Sequence, residues 1–165
     1  MRFAYFARLT RAQQRIYVQS DAVTAMPLPG GPALRPLVNP LAEACGGGDR
    51  PSTQAAADRL LSGLTARLGV PPVRVEVLAA RPARHWGELH GLYTPAARAR
   101  PARVTVWMRT ARQKRVVAFR TFLRTLLHEL THHLDYERLR LVDSFHTEGF
   151  YKREAHLFRQ LMEDG

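Results

Sequence analysis

Between Phe119 and Leu134 the chain places Phe119, Phe122, Leu123, Leu126, Leu127, Leu130 and Leu134 at steps of three and four. Each residue of an α-helix advances by about 100°, so this spacing gathers all seven on one face. No proline interrupts the stretch, and the pattern predicts a long amphipathic helix from Gln113 to Tyr136. A stripe this continuous obliges the rest of the chain to supply a covering layer. His128 and His132 fall roughly opposite the stripe and are not part of it.

Candidates for the covering layer lie upstream. Thr10 is placed to cap a helix through about Ser20, with Ala12, Ile16 and Tyr17 among its apolar positions. Ser52 and Thr53 can cap a support helix, whose Ala56, Leu60, Leu61 and Leu64 recur at helical spacing until Gly69 and the Pro71-Pro72 pair stop it. Between the two helices, residues 26–51 are dense in proline and glycine, which predicts a loop. Val73 to Leu78, a hairpin-like stretch around Glu88 to Tyr93, and Val104 to Trp107 carry β-branched or aromatic residues separated by turn formers. They predict a short, mainly antiparallel sheet, and a last helix is expected from about Thr147 to Met162. With 165 residues, 45% of them hydrophobic, and no internal repeat, the expectation is one domain over 1–165. Its class is α+β: a small sheet packed on the histidine-bearing helix, with a support helix and a carboxy-terminal helix.

The chemistry is concentrated at His128, Glu129 and His132. Residues four apart stand one turn above the other, so two imidazoles can reach one ion from a single rigid element. A zinc ion held by three protein ligands keeps a position for water, lowers its pKa toward neutrality and needs a carboxylate to take the proton. Glu129 suits that task. The competing account is an exposed helix that happens to carry histidines. It leaves unexplained why they lie opposite the apolar face with an acid between them.

The run His128-Glu129-Leu130-Thr131-His132 resembles the HExxH motif of the zinc metallopeptidases, the zincins. The segment His146-Thr147-Glu148-Gly149-Phe150-Tyr151 is similar to the third-ligand region of SprT-like metallopeptidases, where a histidine precedes a helix carrying an aromatic four residues on; Phe150 supplies that aromatic. The order helix, strands, motif helix, final helix extends the likeness loosely over residues 52–162. The resemblance implies a zinc-dependent metallopeptidase with His128, His132 and His146 as ligands and Glu129 as the catalytic base. Glu154 is the runner-up ligand, because an acid in line with Phe150 and Phe158 is costly unless paired or metal-bound; otherwise it can hydrogen-bond a ligand histidine. Glu148 and His156 are weaker candidates. His133 is expected to pack toward the core, Asp135 to be a surface acid or a partner of a ligand, and His85 and His90 to face solvent or the cleft rim. Tyr93, Tyr136, Tyr151 and Arg153 are open candidates for stabilising an oxyanion. Val104 to Trp107 is the segment most like the edge strand that pairs with extended substrate in zincins.

Twenty-five basic residues against fourteen acidic leave a net charge of +11, and all the basic ones but Lys114 and Lys152 are arginine. Such a surface attracts phosphates or acidic proteins. Some SprT-like proteins act on proteins attached to DNA, so the expected partners are a protein or peptide substrate and, through the basic surface, DNA or a DNA-bound protein. Two other functions fit the same residues: a zinc-stabilised nucleic-acid-binding module without turnover, and a zinc hydrolase of a non-peptide substrate. Cys45, the single cysteine, excludes an intrachain disulfide and favours a cytoplasmic location. It precedes Gly46 to Gly48 and is read as an inert loop thiol, the alternative being a thiolate that plugs the metal. The early apolar run Phe3 to Ala7 is too short for a signal-peptide core, and no stretch approaches a membrane span.

Overall fold

The structure, a computed structural model, describes residues 1–84 and 87–163. Among them, five α-helices surround a three-stranded mixed sheet, so the molecule is a small α+β domain. A short 3-10 turn, Ala4–Arg8, leads into α1, Arg11–Asp21. Thr10 caps α1 as expected: its hydroxyl accepts from the Gln13 amide while the Gln13 side chain accepts from the Thr10 amide.

The expected loop over 26–51 is largely helical. A 3-10 segment, Gly31–Leu37, runs into α2, Val38–Gly46. Pro40 is the third residue of α2, in the first turn, where backbone N–H groups have no intrahelical acceptor and proline removes nothing. What secures this region is burial: Leu34, Val38, Leu41 and Cys45 all enter the main core. Cys45 is therefore a core thiol in a helix, its pKa pushed up by burial.

The support helix α3, Arg50–Leu68, starts just after Asp49, so Ser52 and Thr53 lie inside its first turn and do not cap it; the Thr53 hydroxyl donates back to the Asp49 carbonyl. Gly69 closes it in the left-handed region at φ 66°. The strands are β1, Arg74–Ala80; β2, Ala83–Arg84; β3, Gly87–Glu88; β4, Gly91–Thr94; and β5, Arg103–Arg109. The sheet order is β1-β5-β4, with β5 parallel to β1 and antiparallel to β4, while β2 and β3 form a small separate ladder. The expected antiparallel character is thus corrected, because the longer pairing, Arg74–Arg103 through Ala80–Arg109, is parallel. The stretch around Glu88 to Tyr93, expected to be hairpin-like, is instead divided between two ladders: Glu88 pairs with Ala83 in β2, whereas Gly91 to Tyr93 pair with β5.

The histidine-bearing helix α4 spans Phe119–Glu137, not Gln113 onward. Residues before Phe119 double back along β5: Val116 bridges to Arg109, and the Val117 amide donates to the Met108 carbonyl at 2.7 Å. α4 packs on β4 and β5, α3 packs on β1, and Leu60, Leu64, Val77, Val106, Leu123 and Leu126 meet in one core. The last helix, α5, is Glu148–Met162, capped by the Thr147 hydroxyl accepting from the Phe150 amide. No helix among the described residues is long and apolar enough to cross a membrane.

Candidate metal centre

One turn separates His128 from His132 on α4, and His146 meets them from the loop before α5. The Nε2 atom of His146 lies 3.1 Å from Nε2 of His128 and 3.0 Å from Nε2 of His132. Three ring nitrogens therefore converge in a group that could hold a metal ion. Tetrahedral ligands at zinc–nitrogen distances of about 2.0–2.1 Å stand roughly 3.3 Å apart, close to the two spacings from His146, and all three ligand atoms lie within 4.8 Å of one another.

The far side of His132 explains why its lone pair faces the cluster. Ser144 Oγ donates its one proton to Asp135 Oδ2 at 2.7 Å. It must then accept from Nδ1–H of His132, also 2.7 Å away, which leaves Nε2 unprotonated. Asp135 is fully buried, and its other oxygen accepts from Arg153 at 2.9 Å. Arg153, equally buried, also donates to the Ser20 and Val23 carbonyls at the end of α1. Burial raises the Asp135 carboxyl above its ordinary range, against the pull of the Arg153 charge and the Ser144 hydroxyl. The expected accessory acid is thus a buried anchor, two hydrogen bonds removed from the histidine pair.

Electrostatics favour neutral imidazoles at two of the three positions. Burial, with His128 and His146 adding, lowers the His132 pKa to about 3, and burial also lowers His146. His128 moves the other way: burial would lower it, but the Glu154 carboxylate and the Glu129 charge more than compensate. Glu154 Oε2 stands 3.6 Å from His128 Nδ1, so the structure places this runner-up ligand behind a histidine, on the opposite side of the ring from Nε2. Glu148 instead pairs with the amino terminus and Lys152, and His156 Nδ1 accepts from the Met26 amide; neither joins the cluster.

Glu129 is nearly buried beside this group. Desolvation pushes its carboxyl up to about 7, with His128 opposing and Glu154 adding. A carboxylate titrating near neutrality can take and return a proton under ordinary conditions. Glu129 and the three histidines line one open cleft of about 670 Å³, bounded on the other side by β4. β4 can approach because residue 91 is glycine: a Cβ there would stand 2.7 Å from Thr125 Cγ2 and 2.8 Å from Glu129 Oε1.

The strand beside the cleft is not the one expected. Val104 to Trp107 lies in β5, the central strand, paired on both sides; β4 is the edge that borders the cleft. Position in the sheet is set by which distant strands pair with β5, which strand propensity does not encode.

Comparison with family models, with curated proteins and with solved structures finds no match. Of the candidate oxyanion donors, Arg153 is committed within the core. His133 donates from Nε2 to the Pro71 carbonyl, so its Nδ1 accepts from the Tyr93 hydroxyl at 2.8 Å, which occupies that proton too. The Tyr136 hydroxyl donates to Asp143 at 3.3 Å from the cleft wall, and Tyr151 is part exposed with its ring 5.8 Å from that of His146. His133 is packed inward as expected, His90 is on the cleft rim, and His85 lies outside the described residues.

Two participants carry no motif. Ser144 sets the His132 tautomer, and the Tyr5 hydroxyl donates to the His146 carbonyl at 2.6 Å, pinning the third histidine's loop from the amino-terminal segment. The aromatic run Phe3, Tyr5, Phe6 was the only sequence sign that this segment packs; Phe6 and Tyr5 both meet Tyr17 edge-on.

Proposed function

We propose that this protein is a zinc-dependent metallopeptidase of the SprT-like kind, with His128, His132 and His146 as ligands and Glu129 as general base. The observation that carries the proposal is the meeting of three imidazole nitrogens in the same cleft wall as a carboxyl held near neutrality. Three nitrogen donors and an adjacent carboxylate suit zinc, which when bound supplies Lewis acidity toward water and a carbonyl. Glu129 accepts the proton lost by the attacking water and returns it to the departing amine. Ser144 and Asp135 hold His132 with its Nε2 lone pair toward the cluster. The edge of β4, unpaired among the described residues, offers backbone donors and acceptors to a peptide lying extended in the cleft. A metal module without turnover would have no use for the buried Glu129. The buried cysteine, free of any disulfide, accords with a cytoplasmic site of action.

The test is casein digestion by zinc-loaded protein beside Glu129→Gln. Cleavage is expected from the first and a loss of at least ~100-fold from the second, with zinc content unchanged in both. Equal cleavage by the variant, or failure of the unsubstituted protein to take up zinc, would overturn the reading.

A further inference from the structure

The cleft does not end with β4. Past Tyr93, with Pro95 in the lining of both, lies a second, smaller hollow of about 160 Å³, walled by Thr94, Arg74, Arg100 and Arg103. Arg74 and Arg103 are direct partners across the β1–β5 pairing, and Thr94 is the partner of Arg103 on the other side. A row Arg74, Arg103, Thr94 therefore crosses the end of the sheet, exposed at every position. Arg100 is presented by a tight turn in which Ala97 and Arg100 exchange both backbone hydrogen bonds.

Two like charges set opposite each other across a strand pair cost stability, so the row needs a compensating anion or a functional reason. Glu76 provides part of one, 3.2 Å from Arg103, with both side chains roughly half exposed. Among the described residues no acid pairs with Arg74 or Arg100. The hollow thus keeps an excess of positive charge at the end of an unpaired strand edge.

We propose that this arginine hollow is a specificity site for an acidic side chain of an extended peptide lying along β4. Gly91 stands against Glu129, and Thr94 is three residues farther along, which at about 3.3 Å per residue puts the hollow roughly 10 Å from the reacting position. An aspartate or glutamate about three residues from the scissile bond reaches it. A substrate antiparallel to β4 carries that acid on the amino-terminal side of the bond, and a parallel one on the other side. The inference rests on the peptidase reading for its scissile bond, while the charge recognition is measurable without turnover.

The experiment uses zinc-loaded Glu129→Gln protein and fluorescent ten-residue peptides rich in Ser and Thr, with Asp or Gln placed three residues to either side of the centre. Solvent-exposed pairs are individually weak, so the Asp peptide of one orientation is expected to bind about fivefold tighter than its Gln counterpart. Arg74→Ser with Arg100→Ser should abolish that advantage while circular dichroism stays unchanged, and raised salt should shrink it. Equal binding of the Asp and Gln peptides, or an advantage that survives the double substitution, overturns the proposal. So does a duplex oligonucleotide whose binding is lost in the double variant when no peptide shows the acidic preference. Cleavage of the same peptides by the unsubstituted protein is scored separately: acidic preference in binding without cleavage leaves the hollow standing and removes the peptidase reading.

Discussion

At the residue scale the decisive group is one with no motif of its own. Ser144 has a single proton, which goes to Asp135, so its oxygen can only accept from His132. That one bond orients the ring and keeps Nε2 unprotonated. Ser144→Ala should leave the fold intact and weaken zinc binding by about tenfold, the usual effect of deleting a hydrogen-bond partner of a ligand. Competition with a chromophoric chelator measures this directly; unchanged affinity would mean that packing alone orients His132. The residues that the sequence did announce, His128, Glu129 and His132, are adjacent or one turn apart on one helix, where local geometry guarantees their proximity. Ser144 and Tyr5 could not be found that way, because their roles depend on two loops meeting.

At the element scale, α4 and β4 make the two walls of the cleft, and the distance between them is set at Gly91. The flexible tip of Glu129 could swing aside from a larger residue, but the branched Thr125 side chain could not without moving the helix. Gly91→Val is therefore expected to push β4 off α4 and cut peptide cleavage by tens of fold, while zinc content stays near that of the unsubstituted protein because no histidine is touched. A variant as active as the parent would show that β4 does not form the substrate wall. The elements themselves were legible to different degrees. α1 begins where Thr10 places its cap, α5 covers nearly the span expected of it, and α4 follows its stripe. α2 was hidden, since the proline density around it hides a helix whose one proline, Pro40, falls in its first turn. The first residues assigned to α4 went instead to a return along β5, a pairing across only seven to nine residues that outweighs helical propensity.

On the scale of the whole molecule, the Arg153–Asp135 ion pair joins three helices. Both side chains are fully buried, and Arg153 spans from Asp135 on α4 to the carbonyls that end α1. Asp135→Asn keeps the size and a hydrogen-bond acceptor but leaves the guanidinium charge buried without its counterion. The expected cost is about 3 kcal/mol of folding stability, read as a lower urea midpoint at constant slope. An unchanged midpoint would mean that the surrounding carbonyls satisfy Arg153 by themselves. The same network supports the site, so architecture and chemistry share one scaffold: α1 braces α5, and the amino-terminal segment holds the loop that delivers His146.

By itself the sequence determined what is periodic or local: the apolar stripe of α4, two histidines a turn apart with an acid between them, the cap of α1, the extent of α5, and the glycine stop of α3. Only the tertiary structure decided that the longest strand pairing is parallel, that β4 is an edge strand of the described sheet, that α2 belongs to the core, and that His146 meets the Nε2 side of the histidine pair while Glu154 stands behind His128. The division has a physical cause. Helical periodicity and capping are settled by neighbours within a few residues, whereas strand order, edge position and the approach of a third histidine depend on which distant segments gain most by burying their apolar faces together.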